Sequence, residues 1–186
     1  MSTPTKVLLW SSNLWQLGAG MLGPLFAVFA EEVGGNILDI SWVWAVYLIV
    51  TGIGIVLVGR MGDARGHFPL MMLGYGLSSL ATFAYLLVDS PLDLMVVQIV
   101  QGVALALSQP TWLALYDRFS GDGSRDGYSW GLSSGEGYIF SGLAIIAGGS
   151  IVYYSSFEIL FIVMGTILAL ATAYQALLGR YLTKNI

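Results

Sequence analysis

The chain contains no cysteine, a single histidine (His67) and few charged residues: 10% are charged, against 56% hydrophobic. The absence of cysteine excludes a disulfide framework and a thiolate metal site. With one histidine, no glycine-rich phosphate loop and no cluster of metal ligands, we expect no catalytic residues, no metal and no cofactor, and therefore no enzyme. No run of basic residues indicates nucleic acid as a partner.

The apolar residues are gathered into six runs, each long enough for a membrane-spanning helix, which needs about 20 residues. They use most of the 186 residues and leave short connections. The sequence therefore predicts a single all-α, multi-pass domain in the lipid bilayer of a plasma (inner) membrane. The predicted spans are 7–30, 40–59, 68–88, 92–116, 130–153 and 157–179.

Charge of one sign is missing from every second connection. The basic residues all lie near span ends that would share one side: Lys6, Arg60, Arg65, Arg118, Arg125, Arg180 and Lys184. The other three connections carry only acidic residues: Glu31, Glu32 and Asp39, then Asp89 and Asp93, then Glu158. Because cytoplasmic connections accumulate Lys and Arg, this alternation predicts six spans with both termini in the cytoplasm.

The second half of the sequence echoes the first. Pro24 in the first span and Pro110 in the fourth are followed by similar residues, and pairs of small residues in the second and fifth spans keep equal spacing. We therefore predict two three-helix repeats, at about 7–88 and 92–180. Since three is odd, the repeats must be inverted, as in many transporters. The two prolines would loosen both helices and allow bending.

The segment from Gly59 to Phe68 reads Gly-Arg-Met-Gly-Asp-Ala-Arg-Gly-His-Phe. It resembles the loop between helices two and three of the major facilitator superfamily, although Ala64 stands where that family prefers arginine, with Arg65 one place later. The resemblance covers the whole chain but only one of the family's two six-helix halves, so the sequence looks like a half-sized member similar to the N-terminal half. The matching positions are Gly59, Gly62, Asp63 and Gly66.

The charged residues of this loop suggest a latch. Asp63 can offer its carboxylate to free N–H groups at a helix N-terminus. Arg60 or Arg65 can pair with Asp117 at the end of the fourth span. Such a latch would close the cytoplasmic side in one state and release it in the other. The alternative is a solvated loop whose arginines only set the topology.

Polar residues inside the spans fall on two helical faces. Polar stripes on apolar helices face a cavity or a partner helix. The resemblance implies that the first and fourth helices line a central cavity, which makes these residues candidates for substrate contact; the alternative is hydrogen bonding between helices alone. The candidates are Asn13 and Gln16 on the first span, and Gln98, Gln101 and Gln109 on the fourth.

Glu136 is the one carboxylate clearly inside a predicted span. An unpaired acid at this depth would tend to take up a proton, as proton-coupled carriers require. We therefore consider Glu136 a candidate for proton coupling. The alternative is a structural acid bonded to Ser133, Tyr138 or an arginine of the loop.

Together these features predict a secondary transporter that moves a small solute by alternating access. The family's two halves are parallel repeats, so two copies in one orientation can form a homodimer in which the second helix of one faces the fifth of the other. Glycines at 52, 131, 135 and 142 would allow close approach there. The alternatives are half of a heterodimeric carrier, completed by a second six-helix half, and a non-transporting assembly or lipid-interacting module.

Overall fold

The computed structural model describes residues 2–120 and 126–182, with the side chains at 62–65, 126, 129 and 182 outside the description. Short turns apart, these ranges are helical, and a 3₁₀ turn at Tyr85–Leu87 extends the fourth helix. The helices are α1 (Thr3–Gly20), α2 (Leu25–Glu32), α3 (Ile37–Arg65), α4 (His67–Ala84), α5 (Pro91–Ser120), α6 (Asp126–Tyr154), α7 (Phe157–Ala176) and α8 (Gly179–Leu182).

Within the described residues, α3, α4, α5, α6 and α7 are each long and apolar enough to cross a membrane. The bent pair of α1 and α2 supplies a sixth span if it is counted as one, with a bend of 43°. Pro24 lacks the N–H that would continue the backbone hydrogen bonds of α1, and the nearby Gly20 and Gly23 make the backbone flexible there. An all-α membrane protein with six candidate spans agrees with the predicted fold class.

The predicted loop from Gly59 to Phe68 is wrong. α3 continues to Arg65 and α4 begins at His67, so Gly66 alone separates them. Arg, Met and Ala are good helix formers, so the helix continues beyond its apolar segment into the basic one. Gly66 has φ 87° and ψ 140°, a conformation that side chains with a Cβ rarely adopt.

The start of α1 and the end of α5 lie together at one end of the bundle. The Thr5 hydroxyl donates to the Phe119 carbonyl over 2.8 Å. At the same end, Gly179 at the start of α8 backs onto the ring of Phe68 near the start of α4. We call this the basic end, because Lys6, Arg118 and Arg180 lie in these segments.

The opposite, acidic end brings together the end of α2 and the starts of α5 and α7. The rings of Phe29 and Phe157 lie 5.2 Å apart between centroids, and Gly35 lies close to Pro91. The chain therefore runs back and forth between two ends, and α1 begins at the same end at which α8 lies.

The six spans pack in two groups, and the helix that starts each half of the chain packs against the other two spans of the opposite half. α5 packs mainly against α3 and α4, whereas α1 packs against α6 and α7. Contacts between α4 and α7 join the two groups, while α1 and α5 touch only lightly. The lighter packing leaves space between the two helices that carry the polar stripes.

Two hydrophobic clusters hold the bundle. One, near the acidic end, includes Phe29 and Phe161; the other, near the basic end, includes Leu8 and Met71. The buried polar side chains, among them Asn13, belong to neither cluster. The apolar packing is therefore concentrated towards the ends.

Candidate functional site

Two neighbouring cavities lie in the space between α1 and α5. The larger holds about 430 Å³ and is walled by α1, α4, α5 and α6. The smaller holds about 150 Å³ and is walled by α1, α2, α3, α4, α5 and α7. The larger falls within the volume range of small-molecule sites, about 300–1,000 Å³.

The lining of the larger cavity combines amides, hydroxyls and aromatic rings. Gln16 from α1 and Gln109 from α5 both line it, together with five serines. Trp15, Trp112 and Tyr138 contribute aromatic surface. None of the described side chains that line it is charged, so the cavity suits an uncharged or amphipathic solute.

Glu136 lies beside this cavity. The Asn13 side-chain amide donates to Glu136 Oε2 over 2.8 Å, which links α1 to α6. Asn13 is buried, at 3% exposure, and the next residue along from the acid, Gly137, lines the cavity. Hydrogen bonds to a charged group are stronger than neutral ones. Asn13, one of the predicted substrate contacts, therefore bonds the predicted coupling residue.

Gln98 and Gln101 line the smaller cavity, where hydrogen bonds to α4 already engage them. Gln98 donates to the Tyr85 hydroxyl over 3.1 Å. Gln101 accepts from the Ser78 hydroxyl over 2.9 Å and donates to Thr82 over 3.0 Å. The interhelical bonding that the sequence left open as the alternative is thus present at both glutamines.

The structure therefore divides the five predicted substrate contacts into three groups. Gln16 and Gln109 meet in the larger cavity, and Gln98 and Gln101 meet in the smaller one. Asn13 lines neither cavity. The five candidates therefore do not meet in one cavity, and their contact with a substrate stays a prediction.

Several lining residues were missed by the sequence analysis. Trp15 lines both cavities, and Ser12, Tyr75 and Trp112 line the larger one. Extending the polar stripes by one helical turn would have found some of them, because Ser12 precedes Gln16 by four residues and lies on the same helical face.

The residues of the loop motif lie at the basic end. Gly59 is exposed with open space around it, and Gly66 forms the single-residue connection. The side chains of Asp63 and Arg65 lie outside the description. Arg60 and Asp117 are exposed, and the described side chains form no ion pair between them. The latch stays a prediction.

Comparison with known proteins shows which family this chain resembles. The sequence model of the Major Facilitator Superfamily matches residues 8–184. The efflux pump terJ of Aspergillus terreus is 28% identical over 135 residues, which cover 69% of this chain and 26% of the relative. The tetracenomycin C resistance and export protein of Streptomyces glaucescens is 24% identical over 133 residues, 72% of this chain and 24% of the relative.

A third relative is the multidrug resistance protein MdtG of Klebsiella pneumoniae, 24% identical over 101 residues, which cover 52% of this chain and 24% of the relative. The matched stretches thus span about a quarter of the length of these relatives.

Proposed function

Because the chain belongs to the Major Facilitator Superfamily, we propose that it is a secondary transporter that moves a small organic solute by alternating access. The observation that carries this proposal is the uncharged cavity of about 430 Å³ between α1 and α5, with a hydrogen-bonded carboxylate beside it. Gln16 and Gln109 would contact the solute in this cavity, and Gln98 and Gln101 in the smaller one.

The solute we propose is neutral or amphipathic. A lining of amides, hydroxyls and rings offers hydrogen bonds and apolar surface but no compensating charge. Three relatives carry names that refer to efflux, export or multidrug resistance. These names favour export of an organic compound as the direction of transport.

Glu136 would couple transport to protons. A carboxylate within a span costs roughly 2.5–3.5 kcal/mol at mid-membrane and less near an interface. The Asn13 amide of α1 stabilises this carboxylate by donating a hydrogen bond to it. If α1 and α6 separate during the transport cycle, Glu136 loses this donor, so coupling at Glu136 would depend on the relative position of the two helices.

The basic end would face the cytoplasm of a plasma (inner) membrane, as the distribution of Lys and Arg favours. Two inverted three-helix repeats are supported by the packing of α1 against α6 and α7 and of α5 against α3 and α4. Asp63, Arg65 and Asp117 would form the latch at the cytoplasmic end, with Gly59, Gly62 and Gly66 shaping its backbone.

We further propose a parallel homodimer in which α3 of one copy faces α6 of the other. These are the least buried spans: 17% of the apolar window is buried in each, against 39% to 50% in α4, α5 and α7. Open space surrounds the glycines at 52, 131, 135 and 142. A second six-helix half of different sequence could make the same contact.

Transport in proteoliposomes tests the main proposal. The purified chain is reconstituted and offered a panel of neutral, amphipathic and charged aromatic solutes, with and without a pH gradient. We expect saturable uptake of neutral or amphipathic compounds that increases with the gradient. If no compound moves under either condition, the transporter proposal is rejected in favour of a non-transporting membrane module.

Disulfide crosslinking tests the dimer, and the chain has no native cysteine to remove. With Ile55→Cys and Gly142→Cys in one chain, oxidation should give a covalent dimer. The matched control combines Ile55→Cys with Leu170→Cys, an exposed position on α7, and should stay monomeric. Crosslinks confined to one chain, or a monomer that transports, would contradict the dimer.

A further inference from the structure

The two cavities are separated by two side chains. Trp15 from α1 and Leu105 from α5 line both of them. A side chain that faces two neighbouring cavities lies between them. A solute that passes from one cavity to the other must therefore move past the Trp15 indole.

Trp15 carries a buried donor without an acceptor. Its Nε1 is buried and finds no hydrogen-bond partner among the described residues. Trp112, in the wall of the larger cavity, differs in this respect, because its Nε1 donates to the Leu8 carbonyl over 3.3 Å. Buried polar groups are normally paired, so an orphan donor at a cavity boundary points to a partner that arrives from outside the chain.

No described acceptor lies within hydrogen-bond distance of this N–H. In the smaller cavity Gln98 donates to the Tyr85 hydroxyl. The Nε1 atom itself is buried, so a solute reaches it when the indole turns towards one of the two cavities.

The surroundings of Trp15 also restrict the shape and charge of that solute. The Trp15 and Tyr75 rings lie 6.3 Å apart between centroids, tilted by 50°, and offer flat apolar surface. Within the described part of the chain, neither cavity has a charged residue in its lining. Flat, uncharged molecules with an oxygen acceptor fit these surfaces best.

We propose that Trp15 orients the solute at the boundary between the two cavities, donating from Nε1 to the carbonyl oxygen of a flat, uncharged aromatic ketone. The assignment rests on the proposed transport function and names its substrate class. Trp15 thereby selects molecules with an acceptor over hydrocarbons of the same shape.

Indole N–H signals in NMR spectra test this contact directly. The chain is labelled with ¹⁵N-tryptophan in lipid nanodiscs, and the Trp15 signal is identified by its loss in Trp15→Phe. Flavone should move that signal downfield in a saturable way. 2-Phenylnaphthalene has the same ring skeleton but no acceptor, so it controls for ring-current effects and should produce no such downfield shift.

Affinities of the variants complete the test. Trp15→Phe should weaken flavone binding roughly three- to tenfold, as expected for one neutral hydrogen bond, and leave 2-phenylnaphthalene binding within about twofold. Trp10→Phe is the matched control and should keep the preference for flavone, because the exposed Trp10 lines neither cavity. The remaining indole signals report whether each variant is folded.

The outcomes separate this inference from the proposed function. Transport with no saturable flavone binding, or with an unmoved Trp15 signal, overturns the role of Trp15 alone. A Trp15 signal that responds to flavone in a chain that transports nothing supports the contact and rejects the transporter.

Discussion

The first span and α5 each carry a proline and a stripe of amides, yet only the first span is broken. At Pro24 the helix bends by 43° into α2, whereas α5 runs through Pro110 as one helix. Gly20 and Gly23 precede Pro24, while Ser108 and Thr111 lie beside Pro110 and donate to carbonyls one turn back, at 2.9 and 2.6 Å. The glycines leave the first span free to bend at its proline, whereas α5 remains one helix.

The amide stripes differ in their partners as well. The stripe of α1 reaches a carboxylate, Glu136 on α6, whereas Gln98 and Gln101 of α5 bond neutral groups on α4. A bond between an amide and an acid depends on protonation, and a bond between neutral groups does not. The first span therefore combines the bend with a contact to a titratable group, whereas the contacts of α5 do not depend on protonation.

Among the variants that test the two spans, Gly148→Ala should lower the folded yield most. Gly148 of α6 packs against the Met21 carbonyl at the break, and an added Cβ would overlap that backbone oxygen. Overpacking typically costs about 1–3 kcal/mol, and here two backbones must separate. We expect the folded yield to fall several-fold in size-exclusion chromatography. Gly149→Ala, in open space, should match the wild type, and equal behaviour of the two would show that α6 does not support the break.

Glu136→Gln should abolish the dependence on protons. We expect transport driven by a pH gradient to fall at least tenfold, about 1.4 kcal/mol or more, while solute exchange without a gradient persists. Glu158→Gln, at an exposed acid near the start of α7, is the control and should transport normally. Proteoliposome assays at two pH values measure both rates, and a Glu136→Gln variant that still follows the gradient contradicts the coupling.

Replacing each proline by alanine separates the roles of Pro24 and Pro110. Pro24→Ala should reduce transport roughly threefold or more, because the restored N–H favours a straighter, stiffer span. Pro110→Ala should leave transport within about twofold and raise the thermal midpoint, since proline inside a helix costs up to about 3 kcal/mol. A greater loss of transport in Pro110→Ala than in Pro24→Ala would show that bending of α5, and not of the first span, matters for transport.

Thr111→Val should have the smallest effect. It removes the hydroxyl that donates to Leu107 over 2.6 Å beside Pro110, and one hydrogen bond contributes about 0.5–1.5 kcal/mol. Thr172→Val removes a similar bond, to Leu168 in α7, a helix that contains no proline, and should cost less. In a Pro110→Ala background, Thr111→Val should lower the free energy of unfolding by less. If a thermal double-mutant cycle shows the same loss in both backgrounds, the Thr111 hydroxyl does not compensate for Pro110.

The spans could be predicted from the sequence because lipid requires a continuous apolar stretch whose backbone bonds are satisfied internally. That requirement says little about where a helix ends outside the lipid, which is why the segment before Gly66 was mistaken for a loop. Helical periodicity predicted the polar faces of the first and fourth spans, but it could not separate Gln16, which lines the larger cavity, from Gln101, which bonds α4.

Contacts between distant segments were beyond the reach of the sequence. Asn13 and Glu136 are 123 residues apart, and only the packing of α1 against α6 brings them together. The Trp15 donor gave no periodic signal either, because an indole without a partner is recognised only when every neighbour is known. Shape and pairing at the site depend on the assembled bundle.

The meeting of the start of α1 and the short helix α8 at the basic end has an evolutionary consequence. If a second copy of this unit were fused behind the first, the joining segment could stay in water on one side of the membrane. The second copy would then insert in the same orientation as the first, which an odd number of crossings would prevent. A single in-frame duplication could therefore place two such bundles side by side in one chain without redesigning either of them.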